Sequence, residues 1–185
     1  MSETGCWHCP PELVRDEALE EAVLAAHQAI LEELAAEDSY LNLNRGLPVT
    51  QRALRRIEDW RVLLLLTPWM LARLYFPDRA PAIPLPAGWT AGERAGASYR
   101  VLGPGIRFAL LGESRLAHLS YHPALGHYLL QPLCLDLEAY ADAEAVFAAW
   151  GDVIRRRDEI MDQRRRDCPM QKELSRRELF AWFRN

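Results

Sequence analysis

From Val62 to Pro77 the chain reads Val-Leu-Leu-Leu-Leu-Thr-Pro-Trp-Met-Leu-Ala-Arg-Leu-Tyr-Phe-Pro, apolar residues following one another with no polar alternation and Arg73 as the only charge. A continuous apolar run is what a strand buried on both faces shows, so Val62 to Leu66 is expected as a central strand. Thr67 then suits a helix N-cap and Pro68 the first helical position, where its missing N–H costs nothing. Trp69, Met70, Leu74 and Tyr75 recur at helical spacing. This segment is built for packing or for gripping something apolar, and not for acid–base chemistry.

Elsewhere the pattern changes period. Leu19, Val23, Ala26, Ile30 and Leu34 fall on one face of a segment from Leu13 to Ala36, with Glu17, Glu20, Glu21, Gln28 and Glu32 around the rest, which predicts an amphipathic helix. Between Glu12 and Asp38 the one fixed positive charge is Arg15, so that helix is a solvated acidic face or a surface offered to a basic partner. Leu47 to Arg56 suits an edge strand, although Gln51 to Ile57 would also suit a helical turn, and Ile57-Glu58-Asp59 can close a hairpin onto Trp60 to Leu66. Pro77, Pro81, Pro84 and Pro86 break the chain into a loop that runs to Gly88. Ser98 to Leu102, Ile106 to Leu111 and His127 to Leu135 read as further strands, with a turn at Gly112-Glu113. Asp136 is a candidate N-cap for a long last helix, Leu137 to about Arg165, striped by Ala143, Val146, Phe147, Trp150 and Ile154. The expectation is an α+β fold: a mostly antiparallel sheet of four to five strands, with an N-terminal and a long C-terminal helix packed on it.

Composition changes this picture little. A chain of 185 residues that is 50% hydrophobic and 26% charged has the balance of one ordinary globular domain. We expect a flexible extension over 1–12, a single domain over 13–165 and a basic, aromatic tail over 166–185. The net charge of −4 gives no reason to expect nucleic acid as a partner. Neither a secretory leader nor a bilayer-length apolar run is visible, so the expected location is the cytoplasm, without membrane insertion.

Cys6-Trp7-His8-Cys9 is a C-x-x-C with a histidine inside it, half of a zinc or iron site, since Cys134 and Cys168 lie apart and supply no second pair. Cys6 and Cys9 are therefore kept as metal candidates and, in a rival reading, as the working groups of a metal or redox carrier. No cofactor is otherwise expected. His118, His122 and His127 do not share one face, and no phosphate-cradling, nucleophile-elbow or zinc-protease motif occurs, so no enzyme activity is expected.

Leu66-Thr67-Pro68-Trp69-Met70, with the apolar run before it and Phe76-Pro77 after it, resembles the T-P-W-M/F segment of the HybE/HupJ family of nickel–iron hydrogenase assembly chaperones. Gly126-His127-Tyr128 through Leu133 resembles that family's G-x-Y stretch, and Ser175-Arg176-Arg177 is similar to tails seen in it. Cys134-Leu135-Asp136-Leu137 departs from the Ser-Pro-Met-like turn of many members, and the resemblance does not explain the Cys6/Cys9 extension. The resemblance implies an α+β fold similar to secretion-chaperone folds. It also implies a non-enzymatic maturation factor that binds the precursor small subunit of a nickel–iron hydrogenase, with its twin-arginine signal, alongside other maturation factors. Thr67, Pro68, Trp69, Met70, Tyr75, Phe76 and Tyr128 are the apolar and aromatic groups expected to grip the client. Arg176 and Arg177 belong to a Ser-Arg-Arg-x-x-Phe tail that itself looks like a twin-arginine signal and is a candidate to occupy the same groove.

Overall fold

The computed structural model describes residues 6–36, 43–97 and 102–167. The chain divides after Ala143 into two compact units. In the first, a 3-10 turn over Pro11–Leu13 precedes helix α1 (Asp16–Ala36). Strands β1 (Thr50–Ile57), β2 (Trp60–Thr67) and β3 (Met70–Pro77) follow as two tight hairpins. A strap with the one-turn helix α2 (Ala91–Arg94) leads to β4 (Gly105–Leu110), β5 (Glu113–His122) and β6 (Gly126–Cys134). Among the described residues these strands form one six-stranded sheet, order β1-β2-β3-β6-β5-β4, antiparallel at every step. Two meanders are thus joined side by side through β3 and β6. Among the described residues, the second unit holds nearly all of the long helix α3 (Ala143–Asp167), with Val153, Ile160 and Met161 exposed along it.

The α+β class and antiparallel sheet agree with the sequence, but three elements differ. The helix expected from Thr67 is strand β3, and Pro68-Trp69 is the two-residue turn of a hairpin. Thr67 Oγ1 accepts from Met70 N and donates to Met70 O, both at 3.1 Å. The first of these is the bond an N-cap makes to the third helical residue, so the local chemistry is that of a cap while sheet pairing decides the element. Strand β5 was not expected; Ala117, Leu119 and Tyr121 alternate inward between more exposed neighbours. Of Ser98 to Leu102, residues 98–101 lie outside the described set and Leu102 is irregular. Finally, α3 begins at Ala143 rather than Leu137. Asp136 Oδ1 accepts from Glu138 N in an Asx turn, and the carbonyls of Leu137 and Tyr140 accept from the side chain of Asn44.

Strand pairing puts Leu63, Leu65, Met70, Ala72, Leu74, Phe76, Tyr128 and Leu130 on the face against which Leu19, Val23 and Ala26 of α1 pack. Each leucine, valine, methionine or phenylalanine among them, fully buried, contributes about 1.5 to 3 kcal/mol by area. The opposite face carries Trp60, Val62, Tyr75, Phe108, Leu119 and Leu129, roofed by Trp7 and by Ile83, Leu85 and Trp89 of the strap. Cover on both faces explains the unbroken apolar run of β2 and β3. In β1, Ala53 has φ +59° and the register shifts between Arg52 and Arg55. That bulge flips the alternation, so Val49 and Leu54 both reach the α1 face, and it accounts for a stretch that suits neither period cleanly.

Residues 6–12, expected as a flexible extension, include a seated segment. Trp7 is 5% exposed, and its Nε1 donates to Ile83 O at 2.7 Å. Buried Arg61 donates through Nη1 to Leu13 O and pairs through Nε with Asp78 at 3.0 Å, while Arg56 bonds Asp16 at 2.7 Å. These charges fasten the start of α1 to the β1–β2 and β3 ends.

Candidate functional site

Asn44 is the organising residue of a recess in the first unit. Its backbone N–H donates to Pro68 O at 2.9 Å, and its carbonyl accepts from Leu47 N. Its side-chain Nδ2 donates to Leu137 O at 2.9 Å and to Tyr140 O at 2.8 Å, while Oδ1 accepts from Gly46 N. One side chain therefore uses both amide hydrogens and its carbonyl. It ties the turn between β2 and β3 to the stretch after β6. The recess it holds open is about 380 Å³ and is lined by Leu43, Asn44, Arg45 and Leu135 to Glu138. Leu135 is 64% exposed, Leu137 is buried, and Asp136 and Glu138 are exposed. The lining combines Leu43, Leu135 and Leu137 with the carboxylates of Asp136 and Glu138 and the guanidinium of Arg45, a mixed surface that suits a segment carrying both apolar and charged groups.

The residues expected to grip a client sit largely inside. Thr67 and Tyr75 are 0% exposed, and Phe76, Tyr128 and Met70 are buried. Pro68 is buried too, and Trp69 is partly exposed and packed against the α1 face of the core. Tyr75 OH donates to Gln131 Oε1 at 2.8 Å, and Phe76 stacks on Tyr128 at 5.1 Å. Burial pushes the Tyr128 hydroxyl well above the usual phenol range, against the opposing pull of its hydrogen bond with Ser120. The Thr67-Pro68-Trp69-Met70 turn is thus linked to the recess by the bond from Asn44 N to Pro68 O and does not present an exposed aromatic surface. Arg176 and Arg177 lie outside the described residues. On α1, Glu17, Glu21, Glu32 and Glu33 are exposed, while Asp16 is engaged by Arg56.

A second cluster surrounds His127, which the sequence placed only in a scattered histidine group. It is 1% exposed. Its Nδ1 accepts from His8 N and its Nε2 donates to Trp89 O, both at 2.7 Å, and its backbone N–H donates to His8 O at 2.8 Å. This bonding requires the neutral ring with hydrogen on Nε2, and burial lowers its pKa against the pull of Trp89 O. Gly126 (φ +69°) permits the approach, since a Cβ there would overlap His8 O and Pro10 Cδ. Cys6 is an exposed free thiol and Cys9 a partly buried one, its pKa raised by burial and pulled back by Arg61. Among the described residues, no group of three or more His, Cys, Asp or Glu is placed to hold a metal ion. Asn44 and His127 carry structure that their sequence neighbourhoods announce only as turn signals, Asn-Arg-Gly and Leu-Gly-His.

No helix among the described residues is long and apolar enough to cross a membrane. The family model described as NiFe-hydrogenase assembly, chaperone, HybE matches residues 18–182. A search of curated proteins finds no match. Among solved structures, the chain is similar to one described as the solution structure of HybE from Escherichia coli, at 20% identity. That match covers 66% of this chain and 67% of that one, with a TM-score of 0.44.

Proposed function

The chain belongs to the HybE family of NiFe-hydrogenase assembly chaperones, and from that premise we propose that it holds the precursor small subunit of a nickel–iron hydrogenase by its twin-arginine signal. Binding lasts until the iron–sulfur clusters of the client are in place, takes place in the cytoplasm and involves no chemical conversion. Other maturation factors meet the same complex. The observation that carries the reading is the family match over 18–182, most of the chain.

We infer that the signal lies in the recess beside Asn44. The paired arginines of a signal meet Asp136 and Glu138, and the apolar residues that follow them lie on Leu135 and Leu43. Exposed ion pairs of this kind contribute about 0.2 to 1 kcal/mol each, so most of the affinity comes from apolar contact, at about 25 cal/mol per Å² buried. Ordering an extended peptide opposes this by about 2 to 5 kcal/mol, so binding is reversible and suited to handing the client on. Titration of the chain with a synthetic twin-arginine signal peptide tests the site. Saturable binding, weakened by Leu135→Asp and by Asp136→Asn with Glu138→Gln, supports it. Binding that these substitutions leave unchanged places the signal elsewhere.

A further inference from the structure

The seated segment carries the C-x-x-C pair, and its backbone conformation bears on what that pair can do. His8 engages His127 through both its N–H, which donates to the ring Nδ1, and its C=O, which accepts from the His127 backbone N–H. Trp7 lies in the aromatic cluster and Cys9 packs against the same cluster, as residues two apart do in an extended chain, while Cys6 points to solvent. Pro10 follows Cys9 and disfavours helical dihedrals for it. At strand rise, residues three apart have Cα atoms separated by about 10 Å and side chains on opposite sides. A disulfide needs Cα atoms within about 7 Å. Cys6 and Cys9 can therefore join only if Trp7 and His8 take turn dihedrals, which withdraws the indole from its socket and both His8 groups from His127.

We propose that Cys6 and Cys9 form a thiol switch that controls whether the Trp7 segment covers the aromatic face of the sheet: seated when reduced, released when joined as a disulfide. The oxidant is a low-molecular-weight disulfide such as oxidised glutathione. The Cys6 thiolate, its proton gone to solvent, attacks one sulfur and expels one small thiolate, leaving a mixed disulfide. Cys9, freed as the segment lifts, loses its proton and attacks the Cys6 sulfur, breaking the mixed disulfide and expelling the second thiolate. Two protein thiols are oxidised and one external disulfide is reduced to two thiols. Release uncovers Trp60 and Phe108, neighbours of Trp7 in the socket, and frees the backbone N–H of His127.

The test uses the full chain with Cys134→Ser and Cys168→Ser, which leaves Cys6 and Cys9 as its only cysteines. It is equilibrated over a series of reduced to oxidised glutathione ratios, disulfide closure is read by intact mass, and exchange at the His127 amide is followed by mass spectrometry or NMR. The expected result is a closed disulfide form whose His127 amide has lost the protection of the reduced form. Trp7→Ala should raise the equilibrium constant for closure by about tenfold or more, because loss of a buried indole costs the seated state several kcal/mol. A disulfide form with His127 as protected as before overturns the proposal, as does a chain that stops at the Cys6 mixed disulfide at every ratio. If Trp7→Ala does not fold, exchange at His127 in the parent decides the matter alone; if it folds and closes no more readily than the parent, the proposal also falls.

Discussion

Acidification should weaken this protein through His27, starting before most of its carboxylates take up protons. The ring is 2% exposed within α1, its Nδ1 donating to Val23 O at 2.8 Å, and burial, aided by the nearby His122, lowers its pKa from 6.5 to about 4. Above 6.5 the ring is neutral in both folded and unfolded chains and contributes no pH dependence. Below it the unfolded chain gains a proton that the folded chain refuses until about 4, so stability falls with pH across that window and then levels off. A shift of this size corresponds to about 3 kcal/mol at 1.36 kcal/mol per unit, a large share of the roughly 5 to 15 kcal/mol that holds a domain together. His127, also lowered by burial, adds a loss of the same sign. Urea unfolding of the chain and of His27→Gln at a series of pH values isolates the contribution, since carboxylate titration is common to both. The parent should lose about 3 kcal/mol more than the variant between neutral pH and 4. Parallel pH profiles for the two would refute the reasoning.

Three substitutions probe other parts of the account. Thr67→Val removes both bonds to Met70 and leaves a buried N–H without its partner; a loss of about 1 to 3 kcal/mol in chemical denaturation is expected, with the strand order kept. Gly126→Ala forces a Cβ into His8 O and Pro10 Cδ at a left-handed φ, so the segment over 6–10 should leave the sheet, read as faster exchange at His127 and a red-shifted tryptophan emission. Asn44→Ala frees the carbonyls of Leu137 and Tyr140, and signal-peptide affinity should fall by about tenfold or more, the factor that 1.4 kcal/mol represents, while global stability falls by less than the parent's total.

Most of the sheet was legible because its chemistry is local. The β1–β2 hairpin follows from Glu58-Asp59 between two strand-like runs, and α1 from apolar residues at helical spacing. Helix and strand are not distinguished by local pattern where both periods fit. Met70, Leu71, Ala72, Leu74, Tyr75 and Phe76 are apolar on every side of a helix and on both faces of a strand, and Thr67 forms a cap-like bond in either case. Strand β5 does carry the alternation Ala117, Leu119, Tyr121, and weighing that period rather than the histidines between would have found it. The recess depends on a contact between Asn44 and residues 93 and 96 positions away, and no local pattern encodes that pairing. The same holds for His127, whose partners His8 and Trp89 come from distant segments. The aromatic residues expected to bind the client are strongly apolar, but a central pair of strands buries both faces and leaves few of them at the surface.

The central claim, that this chain retains a hydrogenase small-subunit precursor through its twin-arginine signal, is tested most directly by the affinity of the purified full chain for that precursor with its signal intact, with the arginine pair replaced by glutamine, and with the signal removed. The account predicts saturable binding to the intact precursor, weakened about tenfold or more by the glutamine pair, since each tenfold step is 1.4 kcal/mol, and lost with the signal. Equal binding to all three forms, or none to any, would contradict it.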